Sequence, residues 1–212
     1  MDSNSVEKII QNVIKKIDEN PFSIHREADI QAMIYNELCN KYDRLYPILL
    51  KDENNKKYKT NLVHCEYYFG EDNTHRHKGK TFDVVIFNEN DVENINSNWL
   101  AIANEKNKNK WNIVRLKDII EIKVEFGLSG KKFLDFDKSR EKEDIDKLLD
   151  FKQLHYDNKD LYLHFICFLR LEKKSKEKYD KIIESFFKKM DKYCENENVR
   201  LYSNKNCFVN VG

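Results

Sequence analysis

Three charged residues stand inside stretches that are otherwise apolar: Asp83 in TFDVVIF, and Glu121 with Lys123 in DIIEIKVEF. An unpaired carboxylate or ammonium in such surroundings costs several kcal/mol, so each asks for a metal or for a partner of opposite charge. Glu121 and Lys123 lie two residues apart and project from one face of a strand, which Asp83 can reach from a neighbouring strand. Two carboxylates converging in this way make a hard-oxygen pocket suited to Mg²⁺ or Mn²⁺, with water in the remaining positions. A lysine beside such an ion is placed to orient an attacking water.

The elements that must position this trio can be read from periodicity. Val6, Ile9, Ile10, Val13, Ile14 and Ile17 recur at three and four residues and predict a helix with one buried stripe. Pro21 interrupts it, and Ser23 is the expected N-cap of a second helix from Ile24 to Tyr42, with Ile30, Ile34, Leu38 and Tyr42 on one face. LVHCEYYF and TFDVVIF read as strands on either side of the loop GEDNTHRHKGK. The polar, Asn-rich stretch 88–110 reads as an insertion, after which Trp111 to Phe126 form a long strand closed by Gly127 and Gly130. A helix from Ser139 to Leu154, the almost wholly apolar strand LYLHFICFLRL, a helix from Lys173 to Tyr193 and a last short strand, VRLYS or NCFVNV, complete the chain. This order predicts one α/β domain over 1–212, a three-layer α/β/α sandwich around a central mixed β-sheet.

Asp83 followed by the triplet Glu121-Ile122-Lys123, each in an apolar strand, resembles the PD-(D/E)XK nuclease superfamily, whose fold is called restriction-endonuclease-like. The element order from Ile24 to Leu171 is similar to that superfamily's αβββαβ core. The resemblance implies a metal-dependent nuclease that hydrolyses DNA, in restriction or defence, with Asp83 and Glu121 as ligands of Mg²⁺ or Mn²⁺ and Lys123 as the water-positioning residue. Phe82 stands where the superfamily usually has proline. It further implies an acidic residue on the helix before the first strand. Glu27, on the inward stripe of Ile30 and Ile34, is the candidate third ligand, with Glu37 as its rival and Gln31 one turn along as a supporting residue.

The chemistry would be in keeping with the trio. Phosphodiester hydrolysis brings water to an anionic phosphorus and leaves charge on the departing oxygen, both of which a metal ion can stabilise. Lys123 beside the ion is expected to have a lowered pKa. Arg76 and Lys80 before Asp83, and Lys131 and Lys132 after the Glu121 strand, are candidate phosphate contacts, against a reading of them as ordinary solvated lysines and arginine. Lys142 and Lys147 read as solvated too. Gln153 and Tyr156 are spaced one residue short of an exonuclease-type motif, and His64, Cys65, His75 and His77 lack the paired spacings of a zinc site.

Composition narrows the function classes. Hydrophobic residues make up 40% of the 212, enough for a core, and Lys plus Arg at 38 against Asp plus Glu at 37 leave no global field to draw polyanions or membranes. Any DNA contact, or RNA contact, must therefore be local. Five cysteines without a CxxC pair, and an amino terminus without a secretory signal pattern, predict a reducing, cytoplasmic setting. No apolar run approaches twenty residues, so no membrane span is expected. Cutting both strands with one site per chain would require a homodimer. The competing class is a non-enzymatic nucleic-acid- or protein-binding module on the same fold.

Overall fold

A computed structural model describes residues 3–20, 23–42, 61–69, 80–89, 116–126, 135–155, 161–172, 176–204 and 208–209. The elements are α1 (Ser3–Glu19), α2 (Glu27–Lys41), β1 (Val63–Phe69), β2 (Lys80–Phe87), β3 (Leu116–Phe126), α3 (Arg140–His155), β4 (Tyr162–Glu172), α4 (Lys176–Asn196), β5 (Val199–Ser203) and β6 (Phe208–Val209). Of the two alternatives for the last strand, VRLYS is β5, and the part of NCFVNV within the described residues, Phe208–Val209, is β6. Of the predicted insertion at 88–110, only Asn88 and Glu89 fall within the described residues.

The predicted stripe of α1 is buried along its whole length, from Val6 to Ile17. Each such side chain contributes about 1.5–3 kcal/mol relative to exposure. Ile30, Ile34 and Leu38 of α2 are buried as well, and α1 rests on α2. The start of α2 differs from expectation. Asp29, in its first turn, accepts the N–H of His25 at 2.7 Å and of Arg26 at 3.0 Å, so the helix is capped at Arg26. Ser23 instead donates its hydroxyl to the Asn20 carbonyl at 2.7 Å, closing the end of the preceding segment.

The sheet runs β1-β2-β3-β4-β5, with β6 also paired to β4. The first three strands are antiparallel neighbours, whereas β4 pairs in parallel with β3, β5 and β6. The fold is thus mixed α/β around a mixed sheet, compatible with an α/β sandwich. Strand β4 is central, and Leu163, Phe165, Ile166, Cys167, Phe168 and Leu169 are all buried, which is why its sequence shows no polar alternation. Between β5 and β6, Asn204 continues the β4 ladder with its side chain, accepting the Leu169 N–H at 2.9 Å and donating to the Leu169 carbonyl at 2.7 Å. Helix α2 lies against β1, β2 and β3, and α3 against β3 and β4. α3 and α4 are tied together by the Tyr193 hydroxyl, which donates to Asp146 at 2.7 Å.

Three polar side chains cross the core of this sheet. His164 of β4 meets Asp118 of β3 at 2.9 Å through Nε2 and the Tyr202 hydroxyl of β5 at 3.0 Å through Nδ1. Asp118 and His164 are fully buried, and Asp118 Oδ2 has no hydrogen-bond partner among the described residues. Cys39, Cys65 and Cys194 are free thiols. No helix among the described residues is long and apolar enough to cross a membrane.

Candidate active site

Strands β2 and β3 pair from Phe87 with Leu116 to Val84 with Ile120. One step further along this register Asp83 faces Glu121, and there the ladder gives way. Asp83 Oδ2 accepts the Ile122 backbone N–H at 2.6 Å in its place. From α2, Gln31 Nε2 donates to the Asp83 carbonyl at 2.8 Å and to Glu66 Oε1 at 2.8 Å. Glu66 itself interrupts the β1–β2 pairing between Cys65 and Tyr67, with φ at 50° in the left-handed region that non-glycine residues avoid. The edge of the site is therefore built from an irregular β1, a parted β2–β3 ladder and one glutamine that binds both.

Glu121 is only 5% exposed. Lys147 of α3 donates to Glu121 Oε1 in a short ion pair and to the Thr81 carbonyl at 3.0 Å, with its ammonium 5.6 Å above the Phe82 ring. Glu121 Oε2 is buried and has no hydrogen-bond partner among the described residues. Lys123, two residues on, pairs with Asp144 of α3 at 3.3 Å, and Asp144 also lies 3.9 Å from Lys147. Glu27, half-buried at the start of α2, is attracted by Lys123 and hydrogen-bonded by the Val124 backbone.

Burial dominates the electrostatics. It pushes Asp83 up to about 7, helped by the Glu27 charge and opposed by the Ile122 N–H and by Lys147. It pushes Glu121 up to about 8, with Asp83 adding to the rise and Lys147 opposing it. Glu27 is raised by burial as well. For Lys123, burial acts downward, yet the charges of Asp144 and Glu27 outweigh it and hold the ammonium above its ordinary value. The protein's own groups thus work against the lowered value expected for Lys123. Two adjacent, desolvated carboxylates gain most from a cation that replaces their protons. Their oxygens, one of them the unpartnered Glu121 Oε2, fit a small hard divalent ion. No group of three or more His, Cys, Asp or Glu among the described residues is gathered closely enough to hold a metal, so Asp83, Glu121 and the expected third ligand Glu27 are not brought together as one ligand set, and an ion here would have at most the Asp83 and Glu121 carboxylates with water for the rest of its shell.

Of the expected residues, Asp83, Glu121 and Gln31 come together, and Lys123 and Glu27 meet beside them. Glu37 does not join, because it pairs with Lys16 of α1 at 2.5 Å. Lys80 opens β2 opposite Phe69; Arg76, Lys131, Lys132, His75, His77 and Tyr156 lie outside the described residues. Lys147, read from sequence as a solvated lysine, is instead inside the site, with only 15% of its side chain exposed. Asp144 and Glu66 were missed too. The signal for the first two was present: Asp144, Lys147, Leu148 and Phe151 fall at i, i+3, i+4 and i+7, so both charges stand on the stripe that α3 turns inward. Comparison of the chain with protein-family models, with curated proteins and with solved structures finds no match.

Proposed function

We propose that this chain is a metal-dependent nuclease of the PD-(D/E)XK type, hydrolysing DNA phosphodiester bonds with Mg²⁺ or Mn²⁺. The observation that carries the reading is the pair of half-buried Asp83 and buried Glu121, side by side where β2 and β3 part, with an unpartnered Glu121 oxygen. The αβββαβ order from α2 to β4, with antiparallel strands first and a parallel fourth, supports the finer reading of a restriction-endonuclease-like α/β/α sandwich. DNA rather than RNA, a restriction or defence role and a cytoplasmic setting come with the resemblance and the free thiols, not with the site.

In this reading Asp83 and Glu121 hold the ion. When bound, the ion polarises the phosphoryl oxygen and stabilises the departing alkoxide. Ile122 N–H holds one oxygen of the Asp83 carboxylate and Gln31 holds its backbone carbonyl, which fixes the residue in place. Lys123, steadied by Asp144, orients the attacking water, and Glu27 balances its charge.

A second reading, a nucleic-acid- or protein-binding module that does not cut, is favoured by one observation: both site lysines are already paired with carboxylates of the same chain. Incubation of supercoiled plasmid, linear duplex, single-stranded DNA and RNA with Mg²⁺ or Mn²⁺ separates the two. Metal-dependent loss of a substrate, abolished by EDTA, by Asp83→Asn and by Lys123→Ala, supports the nuclease. Intact substrates with saturable binding of one of them support the module.

A further inference from the structure

Resting on the reading of Asp83 and Glu121 as a cation site, we infer that Lys147 is a tethered counter-ion that holds Glu121 in place until a divalent ion displaces it. The two lysines of the site differ in what they hold. Lys123 is bound to Asp144 and drawn to Glu27, neither of which is in the Asp83–Glu121 pair. Lys147 is bound to Glu121 itself and also acts on Asp83. Its other contacts are the Thr81 carbonyl, the Phe82 ring face and Asp144 at 3.9 Å. An ammonium on one Glu121 oxygen and a divalent ion on the same carboxylate are like charges within a few ångströms, in a site with little water to screen them. A second carboxylate is nearby. Asp144 stands one helical turn before Lys147 on α3 at 3.9 Å, but it already holds Lys123 at 3.3 Å, so a lysine displaced from Glu121 is left only loosely paired and more open to reagent. Sequence position then makes sense: an inward-facing lysine on α3 keeps two repelling carboxylates compatible with folding, and a bound ion releases it.

The test is residue-resolved lysine labelling with limiting acetic anhydride, read by mass spectrometry, on the full chain with and without saturating Mg²⁺. Lys147 is expected to become several-fold more reactive with Mg²⁺, while Lys123 and the surface lysines Lys15 and Lys189 change little. Glu121→Gln is expected to show the high Lys147 reactivity without Mg²⁺ and no further rise with it. The wild-type comparison needs no variant, so a poorly folded Glu121→Gln protein leaves it standing. Calorimetry on the same sample distinguishes the failures. Mg²⁺ bound with Lys147 reactivity unchanged or reduced overturns the counter-ion role and spares the cation site. Absence of Mg²⁺ binding overturns both.

Discussion

Replacing Asp83 by asparagine is expected to make the protein more stable above neutral pH, although it removes a residue of the proposed active site. Asparagine has the same shape and keeps an oxygen to accept the Ile122 N–H that Asp83 now accepts at 2.6 Å. What disappears is a half-buried charge beside Glu121. Asp83 is raised from 3.8 to about 7 in the folded chain, so the folded state holds a proton that the unfolded state gives up. The sign follows: this group's contribution to stability is full below about pH 4, is lost as pH rises through 7, and is flat beyond. A rise of about three units at about 1.4 kcal/mol each sets an upper bound of about 4 kcal/mol. Relaxation and entering water reduce it, and about 2 kcal/mol is the expected gain for Asp83→Asn at pH 8, or about 4–8 °C in Tm for a chain of this size. Thermal melts of both proteins in EDTA from pH 4 to 9 test it. The two curves should coincide near pH 4 and part between pH 4 and 7. A variant less stable than the wild type at pH 8, or a difference that does not vary with pH, would refute the electrostatic account of the site.

Other consequences can be checked alongside. Lys123→Ala should lower single-turnover cleavage by about 10²-fold or more while Mg²⁺ still binds, since Lys123 is assigned to the water and not to the ion. His164→Leu should cost about 3–5 kcal/mol in urea unfolding, because it strands the fully buried Asp118 without its partner. The double variant Asp118→Leu with His164→Leu should recover much of that loss, and a double variant as unstable as the single one would count against the buried pair as the cause. Gln31→Leu should reduce cleavage with little change in Tm, since one partly exposed side chain ties the Asp83 backbone to Glu66.

Most of the scaffold was legible because its signals are local. A helical stripe such as Val6 to Ile17 and an unbroken apolar strand such as β4 leave few alternative places to go, and both were buried as their patterns predict. Asp83, Glu121 and Lys123 stood out because charge inside an apolar strand is rare enough to need a reason. Asp118 and His164 were equally embedded in apolar strands, yet they pair with one another across β3 and β4 through Oδ1 and Nε2, a pairing that depends on the parallel register. The Lys147–Glu121 pair joins residues 26 apart on different elements, and lysines are so numerous in this chain that an inward one draws no notice. The N-cap of α2 was misplaced for a related reason: Asp29 can reach back to Arg26, whereas the nearer-looking Ser23 is taken by Asn20.

Calorimetric titration of the wild-type chain with Mg²⁺ and with Mn²⁺ at pH 8, beside Asp83→Asn and Glu121→Gln, bears most directly on whether the parted strands form a cation site. Saturable binding that is lost in both variants is the predicted result. No binding by the wild type, or binding that survives both substitutions, would contradict it.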